Sequence, residues 1–443
     1  MIMLLLRKSA KSLQCVVNEF FTVLGVESVT GAAFSQARQH IRHTAFIELN
    51  EKAVVNVLYR DGHYLRYKQF RVLAIDGSKI RLPETEEVNK EFGQMAYTNG
   101  KDNEIKGHHT YAQGSVLYDV LNHIAIDARL GPATAYEVDL AIQHLEKTQA
   151  GDLILADRGY ASYFFLARLE QAGRDFVVRC SSGSFSAAAA MFSGQGPASQ
   201  QVTLTAPHTQ KELRLFEGSC GASRFRGGSW LQPIDLERGS ARLAGWSWPR
   251  CPYSTETLEE PELKELGLPK QLTVRLVRVV LDTGEYEVLV TSLLDEVAYP
   301  TSDFKEIYRL RWGVETFYDV AKTRLQLENF TGRTVESIRQ DFYATVYITG
   351  LESILTDQAE ERLSQRNTKH EYHVNKTVSF NAIKNQVINL LSYESDLDRL
   401  LERLTKLFLK NPSCTRKNRV VPRRKSSTRV LLNHHRRLKK VCF

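Results

Sequence analysis

The chain has 443 residues, of which 42% are hydrophobic and 25% are charged, and this balance excludes a disordered or fibrous protein. Its length is enough for two to four domains of about 100–200 residues each. The net charge is +8, and residues 416–443 contain 11 of the 59 basic side chains and none of the 51 acidic ones. The excess positive charge therefore lies in this C-terminal tail, and such a run predicts contact with a polyanion, typically a nucleic acid.

The six cysteines are scattered and form no Cys-x-x-Cys pair. This predicts reduced thiols in a cytosolic protein, because neither a disulfide framework nor a zinc cluster is signalled. The apolar segment Met1–Leu6 is too short to span a bilayer, and its basic residues follow it, which is the wrong order for a secretory signal. We therefore expect a soluble intracellular protein that does not contact a membrane.

Residues 1–66 are predicted to be helical. One apolar segment spans Cys15–Leu24, and apolar residues recur at helical spacing over Phe34–Leu49. Because the second segment carries basic residues such as Arg38 on its other faces, the two helices could form a DNA-binding helix-turn-helix. An ordinary packed pair of helices is the commoner alternative, since this motif has a weak sequence signal.

From residue 67 the hydrophobic period changes to two, which predicts strands. A first strand ends at Asp76-Gly77, and a second short one spans Lys79–Leu82. The predicted elements that follow are strands Thr110–Tyr118 and His123–Leu130, helix Ala135–Lys147, strand Leu153–Ala156, helix Phe164–Gln171 and strand Phe176–Val178. This order predicts an α/β fold with a mixed sheet and helices on its faces.

Residues 181–300 have a different character. The start of this region is rich in Ser, Gly and Ala, its middle is polar, and a hairpin of Leu272–Leu281 and Glu285–Leu293 closes it. The pattern predicts a β-rich insertion rather than a continuation of the core. The chain is then predicted to be helical from Ser302 to about Leu409, where the basic tail begins.

The most informative helical segment carries a narrow polar stripe. On a helix that turns about 100° per residue, four polar residues lie within about 60° of one another: Tyr308, Arg311, Glu315 and Lys322. Apolar residues cover the opposite side, so such a helix would present one carboxylate flanked by two cations and a phenol. A solvated amphipathic face with salt bridges has the same spacing and is the alternative.

Two aspartates, Asp76 and Asp157, follow predicted strands. Acidic residues at strand ends are common in turns, so each one alone is more often a turn or helix-cap residue. Together with Glu315, however, they supply the carboxylate oxygens that Mg²⁺ prefers. Two such ions about 3.5–4 Å apart can drive phosphoryl transfer, and the other three residues of the stripe could hold phosphates.

These residues also resemble a known family. The spacing Tyr308-x2-Arg311-x3-Glu315-x6-Lys322 matches the Tyr–Arg–Glu–Lys signature of bacterial insertion-sequence transposases of the aspartate–aspartate–glutamate (DDE) class. Asp76-Gly77-Ser78 is similar to the first aspartate motif of that family, and Asp157-Arg158-Gly159-Tyr160 is similar to the second. The resemblance covers roughly residues 28–351.

The resemblance implies a ribonuclease-H-like fold, in which the mixed sheet is flanked by helices and interrupted by the insertion between the second aspartate and the glutamate. Helical regions would lie at both ends of the chain. The implied domains are an N-terminal, DNA-binding helical region at 1–66, the first part of the catalytic core at 67–180, the β-rich insertion at 181–300, the second part of the core at 301–364, and a C-terminal helical region with the basic tail at 365–443.

The resemblance also implies the roles of the site residues. Asp76, Asp157 and Glu315 would be the catalytic residues and would hold two Mg²⁺ (or Mn²⁺) ions. The implied DNA-binding residues of the signature are Tyr308, Arg311 and Lys322.

Further DNA contacts are expected outside the signature. In relatives, a tryptophan of the insertion stacks on a base flipped from the transposon end, and Trp246 and Trp248 are the candidates here. Packing in a small β domain is the alternative for either one. In the tail, the basic cluster Arg423, Arg424 and Lys425 is expected to contact phosphates.

The implied function is that of a DNA transposase, which cuts at the ends of its element and joins them to target DNA. Its partners would be DNA and, because two ends are processed together, a second copy of the chain in a homodimer. It would act in the bacterial cytoplasm, associated with the nucleoid. Two alternatives stay open: a metal-dependent nuclease without strand transfer, and a catalytically silent DNA-binding repressor derived from a transposase.

Truncation after Cys414 tests the role of the basic tail. We expect weaker DNA binding and a shallower dependence of log Kd on log salt concentration, by about 0.9 for each phosphate that the tail neutralises, while cleavage at saturating DNA is unchanged. Binding isotherms at several salt concentrations measure this slope. A slope equal to that of the full chain would show that the tail binds no phosphates.

Overall fold

The computed structural model describes residues 1–7, 11–98, 105–206, 267–391 and 396–415. The helices are α1 (Ile2–Leu6), α2 (Leu13–Leu24), α3 (Gly31–Arg38), α4 (Thr44–Asn50), α5 (Asn56–Tyr59), α6 (Glu86–Phe92), α7 (Glu137–Gln143), α8 (Tyr163–Gln171), α9 (Ala189–Phe192), α10 (Phe304–Arg309), α11 (Trp312–Asp319), α12 (Val335–Ser364), α13 (Lys376–Leu391) and α14 (Leu397–Lys410). The strands are β1 (Arg71–Arg81), β2 (Gln94–Thr98), β3 (Ile105–Asp119), β4 (Ile124–Pro132), β5 (Asp152–Ala156), β6 (Asp175–Arg179), β7 (Ser199–Thr205), β8 (Gln271–Val280), β9 (Tyr286–Thr291), β10 (Glu371–Val374) and β11 (Pro412–Thr415).

The first nine of these strands form one mixed sheet, in the order β2-β3-β1-β5-β6-β9-β8-β7, with β4 also paired to β3. β1 is antiparallel to β3 and parallel to β5, and β5 is parallel to β6. Three antiparallel strands followed by two parallel ones are the arrangement expected of a ribonuclease-H-like sheet. The predicted α/β class, with a mixed sheet flanked by helices, is therefore confirmed.

The two faces of this sheet are covered by different helices. On one face, side chains such as Ala74 pack in a core with Val314 and Phe317 of α11. On the other face, Leu73 and Ile75 pack in a second core with α7 and α8. Because side chains alternate along a strand, β1 contributes to both cores.

β1 does not end at Asp76, so the predicted break before a second short strand is wrong. The strand continues to Arg81, because β3 pairs with it as far as Arg81↔Tyr111. Asp76 lies within the strand, opposite Val116. In the sequence, Gly77 has the appearance of a turn residue. In the structure it lies within β1, where the absence of a side chain lets Gln113 and Glu137 approach the strand closely.

The predicted hairpin at the end of the 181–300 region is present as β8 and β9, and it extends the main sheet. β9 pairs with β6, and β7 adds to the far side of β8. The described part of this region is therefore continuous with the core sheet. Residues 207–266, which include Trp246 and Trp248, lie outside the described residues.

The N-terminal region is helical, as predicted, but its second segment forms two helices, α3 and α4, rather than one. Arg38, at the end of α3, is buried and paired with Asp341 of α12 at 2.8 Å. It also donates to the backbone oxygen of Ser337 at 2.7 Å. This arginine therefore anchors the N-terminal helices to α12.

The described part of the C-terminal region contains α12, α13, α14 and the short β10–β11 ladder. Within the described ranges, no helix is both long enough and apolar enough to cross a membrane. The basic tail, with Arg423, Arg424 and Lys425, lies outside the described residues.

A buried ion pair sets the start of the parallel β1–β5 pairing and provides a stability prediction. Arg71 and Asp152 are register partners, and Nε and Nη2 of the arginine each donate to a carboxylate oxygen at 2.7 Å. Arg71→Met leaves a buried carboxylate without its cation, so we expect the free energy of unfolding to fall by about 3–5 kcal/mol in urea denaturation. The double variant Arg71→Met/Asp152→Leu should recover most of this loss.

The exposed ion pair of Lys52 and Glu48 provides the control. Lys52→Met should leave the urea midpoint nearly unchanged, because solvent screens such pairs. A similar small change in Arg71→Met would show that the buried pair does not hold the two strands together.

Candidate active site

Asp76 and Asp157 lie side by side at the point where two parallel strands stop pairing. The last register pair of β1 and β5 is Ile75 with Ala156. Asp76 directly follows Ile75, and Asp157 directly follows Ala156. Because the two strands run in the same direction, the two aspartates therefore lie beside each other. Both residues keep some exposed surface, but the carboxyl group of Asp76 is largely buried.

The surroundings of Asp76 disfavour its charged form. The backbone N–H of Gly77 donates to Asp76 Oδ1 at 2.9 Å. Burial raises the pKa of Asp76 to about 7, and although Arg311 and the Gly77 bond act to lower it, the carboxylates of Glu137 and Asp157 raise it further. Asp76 therefore exchanges its proton near neutral pH, in a region that concentrates negative charge.

The Tyr–Arg–Glu–Lys segment, predicted as one helix, is divided into α10, α11 and a π-helical turn at Val320–Arg324. Three of the four residues of its polar stripe are buried. Tyr308, Arg311 and Lys322 are 5%, 4% and 6% exposed, which excludes the alternative of a solvated face for these three side chains. Glu315 is exposed.

Asp157 is held by groups from two neighbouring elements. The Tyr308 hydroxyl of α10 donates to Asp157 Oδ1 at 3.3 Å, and Arg179 Nη1 of β6 lies 3.8 Å from the same oxygen. Burial raises the pKa of Tyr308, so this phenol keeps its proton and acts as a donor. Sequence reasoning missed Arg179, although it directly follows the predicted strand Phe176–Val178 beside the second aspartate motif.

Arg311 connects the third acid of the signature to the two aspartates. Its Nη2 donates to Glu315 Oε1 at 2.7 Å. Burial acts to lower the pKa of Arg311, yet Tyr308, Asp157 and Glu315 together raise it above its ordinary value. Because Arg311 also acts on Asp76, one buried guanidinium balances all three acids.

Lys322 contacts β1 rather than open solvent. Its Nζ donates to Ser78 Oγ at 2.7 Å and to the backbone oxygen of Lys79 at 2.6 Å. Burial lowers the pKa of Lys322, while Glu328 acts to raise it. The last residue of the signature therefore ties the helical segment to the strand just beyond Asp76.

Sequence reasoning also missed Glu137, the first residue of α7. Its Oε1 accepts a hydrogen bond from Gln113 Nε2 of β3 at 3.1 Å. Burial raises the pKa of Glu137, and Asp157 raises it further, while Lys79 and the Gln113 bond oppose this. A glutamate at a helix start is a common feature, so nothing local in the sequence distinguishes this one.

Asp76, Asp157 and Glu315 all interact with Arg311, but they do not form a preassembled metal-binding site. Among the described residues, no group of three or more His, Cys, Asp or Glu side chains is already arranged to hold a metal ion. The chemical types nevertheless suit a hard divalent cation, since carboxylate oxygens are its preferred ligands.

A second constellation, Ser115–His144–Asp127, resembles a hydrolase triad in its hydrogen bonds. Ser115 Oγ lies 3.0 Å from His144 Nε2, and His144 Nδ1 lies 2.8 Å from Asp127 Oδ2. Ser115 and His144 have no exposed surface, so a substrate cannot reach the hydroxyl. The chain of hydrogen bonds therefore fixes the segment after α7 to β3 and β4.

The site can be compared with known proteins. A family model described as "Transposase DDE domain" matches residues 67–349. Among solved structures, the chain is similar to a piggyBac transposase in a synaptic complex with hairpin DNA, determined by cryo-EM, with 9% sequence identity and a TM-score of 0.36. That alignment covers 76% of this chain and 57% of the piggyBac transposase chain, so this chain spans little more than half the length of that transposase. No curated protein matches significantly.

Asp76 should give the metal-free protein a measurable pH dependence. Because its folded-state pKa is raised from 3.8 to about 7, the folded state loses stability as the pH rises through this range. Asp76→Asn removes the buried charge, so in EDTA we expect a Tm about 2–4 °C above the wild type at pH 8 and no difference at pH 4. Differential scanning fluorimetry measures both values.

Glu306→Gln, which changes an exposed carboxylate on α10, is the control and should show no such difference. An Asp76→Asn protein that is not stabilised at pH 8 would contradict a buried, ionised Asp76.

Proposed function

The chain belongs to the family of transposase DDE domains, and we propose that it is a DNA transposase of the insertion-sequence type. It would cut the phosphodiester bond at each end of its element and join the freed 3′-hydroxyl to target DNA. The observation that carries this proposal is that Asp76 and Asp157 lie where two adjacent parallel strands stop pairing, and that a buried Arg311 interacts electrostatically with both while donating to Glu315.

Divalent metal ions fit the chemistry of this site. Asp76 is buried beside other carboxylates, so a cation there would offset unfavourable negative charge. We propose that Asp76, Asp157 and Glu315 hold two Mg²⁺ or Mn²⁺ ions. When bound, such ions activate the attacking oxygen and stabilise the leaving one.

Arg311 has two successive roles in this proposal. Its guanidinium is the counter-ion of Glu315 in the structure, with Nη2 2.7 Å from Oε1, so a metal ion would compete with Arg311 for this carboxylate. The freed guanidinium then has two parallel N–H donors for a DNA phosphate. A metal cation would then be the partner of Glu315, and the positive charge of Arg311 would be balanced by the phosphate.

Lys322 and Tyr308 would position the acids and contact DNA at the same edge. A lysine ammonium has three N–H donors, and Lys322 uses two of them on β1. The third can reach a phosphate while the strand beside Asp76 stays fixed. The Tyr308 hydroxyl orients Asp157 by its hydrogen bond.

DNA is the proposed partner, at both the element ends and the target. Trp246 and Trp248 would stack on a flipped base, and the basic tail with Arg423, Arg424 and Lys425 would add phosphate affinity that weakens as salt rises. Two ends must be processed together, which favours a two-fold homodimer on DNA. The proposed location is the bacterial cytoplasm, at the nucleoid.

Single alanine substitutions at Asp76, Asp157 and Glu315 test the catalytic assignment. Each should lower the rate of Mg²⁺-dependent cleavage by at least about 10²-fold, because each removes electrostatic stabilisation of the transition state. Binding to the same DNA should persist. The substrate is a DNA fragment that carries the sequences flanking the gene, with a target plasmid added, and gel assays separate binding, cleavage and joining.

Glu306→Gln, on the exposed side of α10, is the matched control and should cut at the wild-type rate. Cleavage without any joined plasmid would favour a nuclease over a transposase. Binding without cleavage under Mg²⁺ and Mn²⁺ would favour a repressor derived from a transposase.

A further inference from the structure

Glu137 brings a fourth carboxylate to the place where Asp76 and Asp157 meet. A Cβ built on Gly77 would lie 3.1 Å from Cδ of Glu137 and 2.5 Å from Nε2 of Gln113. The Glu137 carboxyl group therefore packs against the backbone directly after Asp76. A side chain at residue 77 would overlap Gln113 Nε2 and crowd the Glu137 carboxyl group, so both would have to shift.

The carboxylates approach this point from opposite faces of the sheet. Asp76 alternates with Ile75 and so points toward the layer of α11, whereas Glu137 belongs to the layer of α7. β5 ends at Ala156, while β1 continues to Arg81. Beyond Ala156, no strand of the described residues fills the side of β1 next to β5, so groups from the two layers can meet there.

Two buried polar atoms beside Glu137 have no hydrogen-bond partner among the described residues, Oε1 of Gln113 and the hydroxyl of Tyr160. Gln113 is fully buried and Tyr160 is 2% exposed. The charges that act most strongly on the Tyr160 hydroxyl are those of Glu137 and Asp76. Because buried polar atoms are almost always bonded to protein, water or an ion, a hydrated ion bound beside Glu137 would supply the partners that these two atoms lack.

The position of Glu137 does not depend on the Arg311–Glu315 pair. The 3₁₀ turn that follows α7 begins at His144, which hydrogen-bonds to Ser115 of β3 and Asp127 of β4. These bonds anchor the C-terminal end of α7 to the sheet, and they fix the position of the helix that carries Glu137 at its other end.

We propose that Glu137 helps to hold a divalent cation together with Asp76 and Asp157, and that this ion binds while Glu315 is still paired with Arg311. The three carboxyl groups are not arranged around a common point in the structure, so the proposal requires their side chains to turn toward the ion when it binds. Because Mg²⁺ and Mn²⁺ keep several bound waters, those waters are the partners of the Tyr160 hydroxyl and Gln113 Oε1. The inference rests on the proposed function for its choice of a divalent metal. It goes beyond that function by adding an acid outside the aspartate–aspartate–glutamate set and by ordering the two binding events.

The test is Mn²⁺ binding to the full-length, EDTA-stripped protein without DNA, measured by the electron paramagnetic resonance signal of free Mn²⁺. Glu137→Gln should bind the first ion at least about tenfold more weakly than the wild type, while Glu315→Gln retains it. The glutamine can still accept the bond from Gln113 and removes a carboxyl group whose pKa burial raises, so we expect a Tm in EDTA no lower than that of the wild type. Glu137→Asp keeps the charge and should have an intermediate affinity.

Glu146→Gln is the control, since this exposed carboxylate lies on the same segment as α7 but away from the site. An unchanged Mn²⁺ affinity in Glu137→Gln, a loss of the first ion in Glu315→Gln, or no binding by the wild type would each overturn the inference. Because no DNA is present, the two proposals fail separately. A wild type that binds Mn²⁺ through Glu137 but never cuts DNA would contradict only the transposase proposal.

Discussion

The parallel register of β1 and β5 is the constraint on which the candidate active site depends. Arg71 and Asp152 are the first residues paired in this register, and their side chains form a buried ion pair with two hydrogen bonds. Both strands then run in step, so Asp76 and Asp157 leave the pairing at the same level although 80 residues separate them in the chain. Parallel strands need a crossover between them, and here that crossover includes α7, which carries Glu137. The same topology therefore supplies three of the four acids.

Charge balance is the second constraint, and it follows from the first. Burial raises the pKa of Asp76, and the neighbouring carboxylates of Glu137 and Asp157 raise it further, so ionising Asp76 at this edge is costly. The buried guanidinium of Arg311 offsets this cost and also pairs with Glu315. A site of this kind is strained electrostatically without a further cation, which is the condition under which a divalent ion binds well. The near neutrality of residues 1–415 is consistent with acids and bases gathered together rather than dispersed.

Local signals in the sequence were sufficient for several elements. The strand before Asp157, the helix that follows it, and the hairpin of β8 and β9 were predicted to within a few residues, because apolar runs and turn residues mark them directly. The continuity of β1 was missed, since Gly77 has the appearance of a turn residue and only the pairing with β3 shows otherwise. The burial of Arg38 was also missed, because its partner Asp341 is about 300 residues away in the sequence.

The sequence by itself determined the family, through the spacing of the Tyr–Arg–Glu–Lys signature and the two aspartate motifs. These motifs can be recognised from residue types and from short separations along the chain, without knowledge of the fold. Only the tertiary structure decided how the acids are arranged. It buried three residues of the polar stripe, paired Glu315 with Arg311, bonded Lys322 to β1, and brought Glu137 against Gly77. These interactions join residues from separate strands and helices, and their geometry follows from sheet register and layer packing, which no local pattern encodes.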